Sequence, residues 1–379
     1  MRKWSTTVAM LAGGLSLLVG GEQLPAPIAQ LAAAAPAVRL ARTNPSAPPV
    51  SQVASHIAFG LYNPGVPDDM PTVSAAEAAI GKPAAILMWY KHWGGAWNNF
   101  YPQWVNAVAS HGSVPMITWM SDDYTIAGYP NPRVEGAYAN QRITSGAYDA
   151  FIRGWADGLK ATGRLVLLRL DHEMNGNWYA WAPGINGNTT ASYVAMWRHV
   201  HDVFVEEGAT NVRWVWSPNV DYPGATPFEA MYPGDDYVDW VGLDGYNWGM
   251  SNGYTPWRSF TGVFGASYFR LARLTTKPLM IAEVGCVEVG APPGLSKATW
   301  IHSMLQSELV TQFPRVQAFV WFDQDNRNGQ DFRIGSSAAS QSAFRAGIQS
   351  SSYVSSFQQA DLSLDGPLSA AAATGRSRP

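Results

Sequence analysis

LVLLRLDHEMNGNWYAW, residues 165–181, begins as an almost unbroken apolar run and ends in charge. Only Arg169 interrupts the run. Asp171, His172 and Glu173 follow it at once, and then come the rings of Trp178, Tyr179 and Trp181. A short apolar run of this kind is the mark of a strand buried on both faces of a parallel sheet. Seven other runs share the pattern. They are IAFGLY (57–62), AAILMWY (84–90), PMITWM (115–120), VRWVWS (212–217), DWVGLDGY (239–246), PLMIAEV (278–284) and VQAFVWF (316–322).

Helical patterns lie between them. Tyr148, Phe151, Ile152, Trp155 and Leu159 fall at helical spacing in 144–162, with Gly163 placed as a C-terminal cap. Tyr193, Met196, Trp197, Val200, Val203 and Phe204 form an apolar stripe in 190–207, after Thr189 or Thr190 as N-cap. Residues 298–313 place Ile301, Met304, Leu305 and Leu309 on one face, and 99–110 and 258–275 are further helical candidates. Alternating strands and helices predict a (β/α)8 barrel, the TIM barrel, as a single domain over 53–350. An open doubly wound sheet would need a Gly-rich phosphate loop after an early strand, and FGLYNPG (59–65) is not one.

The flanks read differently. Arg2 and Lys3 precede an apolar stretch over 8–19, too short to span a membrane comfortably and of signal-peptide length. A leader over 1–35, a linker over 36–52 and a disordered tail over 351–379 are expected, with a secreted product and no stable membrane span. The formal charge of -3 argues against nucleic acid as a partner. The single cysteine, Cys286, excludes an intramolecular disulfide and reads as a small packing residue. HEMNG (172–176) lacks the second histidine of a His-Glu-x-x-His zinc site, so no metal and no cofactor is expected. A monomer is expected.

A barrel of this kind keeps its active site at the C-terminal ends of its strands, so the polar residues just past each run matter most. Glu173 ends the fourth run and Glu283 the seventh, on opposite sides of the mouth. Two facing carboxyl groups serve glycoside hydrolysis: one protonates the leaving oxygen, and the other attacks the anomeric carbon or activates water. Pyranose rings present apolar C–H faces that stack on aromatic rings. Trp178, Tyr179, Trp181, Tyr246, Trp248 and Trp321 are expected to crowd the same rim. Either glutamate alone reads equally as an ion-pair partner of Arg169; the two together carry the catalytic reading.

RLDHEMNGNWYAW (169–181) resembles the acid/base motif of glycoside hydrolase family 26. DWVGLDGYNWG (239–249) and PLMIAEVG (278–285) resemble that family's sixth- and seventh-strand motifs. The resemblance implies a (β/α)8 barrel and a retaining double displacement, with Glu173 as acid/base and Glu283 as nucleophile. It implies that Tyr246 hydrogen-bonds the nucleophile and that His172, Arg169, Asp244 and Trp178 shape the site. The substrate it implies is a plant-type polysaccharide cut at internal β-linkages. β-1,4-Mannan is favoured by its frequency in the family; mixed-linkage β-1,3-1,4-glucan and β-1,3-xylan are the alternatives. Many mannanases carry Trp-His after strand three, where this chain has Trp119–Met120, and WFDQDNRNGQDFRIGSS (321–337) looks closer to the glucanase branch. A non-catalytic glycan-binding barrel and a partner-binding scaffold are the readings from other classes.

Overall fold

The computed structural model describes residues 54, 56–95, 98–125, 136–327 and 329–357. The expected leader and linker, and the tail from 358 on, lie outside the described residues.

Eight parallel strands close into a barrel: β1 (Ile57–Tyr62), β2 (Ile86–His92), β3 (Val114–Met120), β4 (Val166–Leu170), β5 (Val212–Trp216), β6 (Trp240–Asn247), β7 (Leu279–Cys286) and β8 (Val316–Phe322). Each strand pairs with the next, and β8 pairs with β1 to complete the ring. The helices α1 (Met70–Ile80), α2 (Pro102–His111), α3 (Asn140–Thr144), α4 (Asp149–Thr162), α5 (Thr190–Glu207), α6 (Phe260–Leu274), α7 (Lys297–Ser303), α8 (Leu309–Gln312) and α9 (Ala338–Ile348) wrap it. No helix among the described residues is long and apolar enough to cross a membrane.

The caps explain where the helices stop. Gly163 ends α4 with φ +60°, a left-handed conformation that costs glycine little. Thr189 opens α5 by accepting from Ser192 N, while Ser192 Oγ accepts in return from the Thr189 amide. The segment over 298–313 is helical but not uniform. One π-helical turn, Met304–Glu308, separates α7 from α8.

The apolar strand residues sort into two sets by alternation. Leu167, Met88, Met116, Met280, Val320 and Phe322 fill the barrel interior. Leu168, Leu170, Ile117, Phe319 and Trp321 face the helices. The interior is therefore a packed core and not a pore.

The folded unit runs beyond the expected boundary at 350. A short strand, β9 (Tyr353–Val354), pairs with the start of β1. The Tyr353 hydroxyl donates to Leu305 O at 2.6 Å, and Phe357 lies against Trp240 at the base of the barrel. These residues are part of the fold, not of a disordered tail, because they cover apolar surface that the eight strands leave open.

Candidate active site

Glu283 owes its direction to a bulge. Ala282 already faces the barrel interior, and strict alternation would turn Glu283 towards the helices. The register with β6 slips between Leu243 and Asp244, so that Leu243 faces Ile281 but Asp244 faces Glu283. The extra residue turns the carboxylate inward, the kind of re-aiming that bulges perform beside active sites.

Three donors hold that carboxylate. Tyr90 at the end of β2 donates to Oε1 at 2.6 Å, and the Arg169 guanidinium donates to the same oxygen. Tyr246 donates to Oε2. Hydrogen bonds to an ionised oxygen stabilise the charged form. Arg169 is itself fully buried. Its Nη1 contacts both Asp244 oxygens at 2.9 Å, and its Nε donates to Thr118 Oγ1 at 2.9 Å. Ser217 Oγ donates to Asp244 at 2.8 Å and completes the support.

Glu173 sits just past β4, with its backbone at φ +52°, two residues after Asp171 at φ +42°. Neither is glycine, so this turn stores strain of order 1 kcal/mol or more per residue. Tertiary bonds hold it. Glu173 N donates to Ser217 O at 2.7 Å, and the Asp171 carboxylate accepts from Ser121 N and Oγ at 2.7 Å each. The Glu173 side chain accepts from Trp178 Nε1 at 2.7 Å. The Trp178 ring folds back over Gly176, where a Cβ would lie 2.6 Å from the indole. That close approach is why NGNW needs its glycine.

Burial, and then the negative charge of Glu283, push the Glu173 carboxyl up to about 8. The buried cluster has one guanidinium for three carboxyl groups, so one group keeping its proton is the cheapest state. His172 is held well below the usual imidazole range by burial and by Arg169. It is neutral, and its Nε2, 3.9 Å from Glu283, is matched to the Tyr179 hydroxyl at 3.1 Å rather than to a charge.

Arg169, His172, Glu173, Trp178, Asp244, Tyr246 and Glu283 thus converge on one mouth. Trp248 stands beside them, half-buried, 5.2 Å from Tyr246 and 5.3 Å from Phe332. Trp321 does not belong there. It is fully buried among the helices, edge-on to Phe344, with its Nε1 donating to Phe332 O. Its neighbour Phe322 takes the inward position and stacks on Tyr62 at 4.7 Å. Trp181 is likewise buried, stacked on Tyr179. Trp119 also packs in the outer layer, against Phe151, Trp155 and Phe204.

Sequence reasoning missed Tyr90, Tyr62 and Gln324. The Tyr62 hydroxyl donates to Gln324 Oε1 at 2.6 Å, and its ring lies 5.2 Å from Tyr90. Both tyrosines end apolar runs, the same signal that singled out Glu173 and Glu283. Cys286 is buried, and burial pushes its thiol up to about 12, which suits a packing role and not a nucleophile.

The architecture is shared with solved glycanase structures. An endo-beta-1,4-mannanase double mutant from Cellulomonas fimi superposes with a TM-score of 0.59 at 16% identity, over 81% of this chain and 74% of that one. Among sequence relatives, Endoglucanase H of Acetivibrio thermocellus is 35% identical over 302 residues, 76% of this chain and 31% of that protein. Mannan endo-1,4-beta-mannosidase A and B of Caldalkalibacillus mannanilyticus is 32% identical over 206 residues, 51% of this chain and 36% of its own length. The chain thus spans about a third of the length of these relatives. The family model for Glycosyl hydrolase family 26 matches residues 135–285, the segment that contains both glutamates. Residues 135–285 of the chain belong to glycosyl hydrolase family 26.

Proposed function

We propose that the chain is a retaining endo-β-glycanase, with Glu283 as nucleophile and Glu173 as acid/base. The observation that carries this is the pairing of unlike carboxyl groups. Glu283 accepts hydrogen bonds from three donors, and Glu173 is pushed up to about 8 and so holds its proton near neutrality. In the first step the Glu283 carboxylate attacks the anomeric carbon. The glycosidic C–O bond breaks as Glu173 gives its proton to the leaving oxygen. Forming the ester removes the negative charge of Glu283, so Glu173 becomes a stronger acid and is left as the carboxylate. It then takes a proton from water, which displaces Glu283 and releases the sugar with its configuration retained. His172, Arg169, Asp244, Tyr246, Trp178 and Trp248 bind and orient the sugar or these two groups.

For the sugar, the longer match to an endoglucanase puts a β-glucan first, and β-1,4-mannan, the family's commoner substrate, second. The basic and apolar N-terminal pattern supports export of the enzyme to where such polymers lie.

The test is reducing-sugar release from mixed-linkage β-glucan, β-1,4-mannan and β-1,3-xylan, with the product anomer followed by NMR. One polymer is cut and the β-anomer appears first. Glu283→Ala abolishes turnover, and Glu173→Ala is rescued by azide on an activated aryl glycoside to give the β-glycosyl azide. Inversion at the anomeric centre refutes the double displacement. Binding without cutting by the wild type establishes a non-catalytic glycan-binding barrel instead.

A further inference from the structure

We propose that Lys297, a buried cation outside the site described above, is a positioning residue for the reaction. Its ammonium fixes Phe332, and Phe332 holds the Tyr246 ring where its hydroxyl reaches Glu283. This rests on the reading of Glu283 as nucleophile.

Lys297 is the first residue of α7 and is fully buried. Neither fact suits a lysine. A cation in the first turn meets the positive end of the helix dipole, and a buried charge is costly unless its donors are matched. Here they are matched. Nζ donates to Arg333 O at 2.6 Å, to Ser336 Oγ at 2.8 Å and to Asp331 O at 3.1 Å, one acceptor for each proton of the ammonium. Ser336 Oγ in turn donates to Glu288 Oε1 at 2.6 Å, and Ser340 Oγ donates to the same oxygen at 2.8 Å. The ammonium is thereby tied to the loop after β7 as well as to the loop after β8.

The two carbonyls flank Phe332. The backbone of Phe332 itself is also held: its N donates to Gln324 O at 2.9 Å, and its carbonyl accepts from Trp321 Nε1 at 2.9 Å. The Phe332 ring is fully buried, 4.9 Å from that of Tyr246 and 5.3 Å from that of Trp248. Gly285 on β7 makes the room, since a Cβ there would lie 2.8 Å from Phe332 Cδ1 and 3.0 Å from Tyr246 Cδ1. Tyr246 is thus set by its packing on Phe332, and its hydroxyl donates to Glu283 Oε2. A hydrogen bond weakens steeply once its angle is lost, so a Phe332 that shifts lets Tyr246 tilt away from the nucleophile. An apolar side chain at 297 would spare the cost of a buried charge, but it would leave both carbonyls unpaired and the loop loose.

The experiment is a double-mutant cycle on kcat/KM for a dinitrophenyl glycoside of the sugar that is cut, which reports attack by Glu283. Lys297→Met lowers it about tenfold in the wild-type background, the lower end for a hydrogen bond to a charged group, and about twofold at most in Tyr246→Phe, where that bond is already gone. KM for the polymer is unchanged. Ser336→Ala, which cuts the tie to Glu288, gives a smaller loss with the same dependence on Tyr246, and it carries the test if Lys297→Met does not fold. Leu159→Ala truncates the core on α4, which packs on α2 and α5, so it lowers stability and keeps the rate. Equal fold-losses in both backgrounds, or a folded variant that keeps the wild-type rate, overturn the proposal and leave Lys297 a strut for stability alone, with Glu283 still the nucleophile. An active Glu283→Ala, or a wild type inert on every glycan and aryl glycoside, defeats the nucleophile reading and takes this one with it.

Discussion

Replacing Trp178 by Phe removes a single N–H and keeps a ring over Gly176. That N–H donates to Glu173 at 2.7 Å and favours the charged carboxylate, against burial and the charge of Glu283. A hydrogen bond to a charged group contributes about 1.5–3 kcal/mol. The indole also bonds the neutral acid, so the difference between the two protonation states is nearer the lower figure. At about 1.36 kcal/mol per pH unit, the loss raises the Glu173 carboxyl by about one unit. The alkaline limb of kcat/KM reports the acid of the free enzyme. It should fall near 8 in the wild type and about one unit higher in Trp178→Phe, however much the overall rate drops. Initial rates on the soluble polymer below saturation, from pH 5 to 10, measure it. A dinitrophenyl glycoside, whose leaving group needs little protonation, serves as control and should show no such limb. A limb that stays in place or moves down refutes either the hydrogen bond or the role of Glu173.

Four other outcomes follow from the same geometry. Tyr90→Phe removes one donor from Glu283, the proposed nucleophile, and should slow glycosyl-enzyme formation by about 10- to 150-fold, read as the burst of dinitrophenolate, with the fold unchanged. Arg169→Met leaves Asp244 and Glu283 buried without their cation and should cost about 3–5 kcal/mol in urea unfolding. Trp321→Ala should cost about 3–5 kcal/mol of stability with KM unchanged; a raised KM at unchanged stability would return Trp321 to the mouth. Glu173→Gln should stabilise the barrel. The folded carboxyl lies above its ordinary value of 4.5, so the wild type loses stability as pH rises from there to about 8, and the gain measured by thermal unfolding should grow across that window and then level off.

The strands were legible because burial on both faces writes itself as an unbroken apolar run, and the ends of those runs marked Glu173 and Glu283. What stayed hidden depends on parity and register. Trp321 and Phe322 are adjacent, and only the pairing of Phe322 with Tyr62 decides which of them faces inward. The slip that turns Glu283 into the barrel leaves no periodic trace, because it is a change in pairing between strands. Strand β9 is two residues long, too short to carry a pattern, and exists because β1 has a free edge at its start. Tyr90 and Tyr62 were readable by the rule that found the glutamates and were passed over because tyrosine at a strand end also reads as core.

Arg169 has a meaning for assembly as well as for charge. Its guanidinium reaches Thr118 on β3, Asp244 on β6 and Glu283 on β7 from its own place on β4. Those strands meet around one cation only when the ring is shut. A half-formed barrel carries both glutamates in sequence but not the contacts that give them unlike surroundings. Turnover therefore reports closure of the ring itself, and its recovery during refolding should track the last step of assembly and not the first appearance of helices.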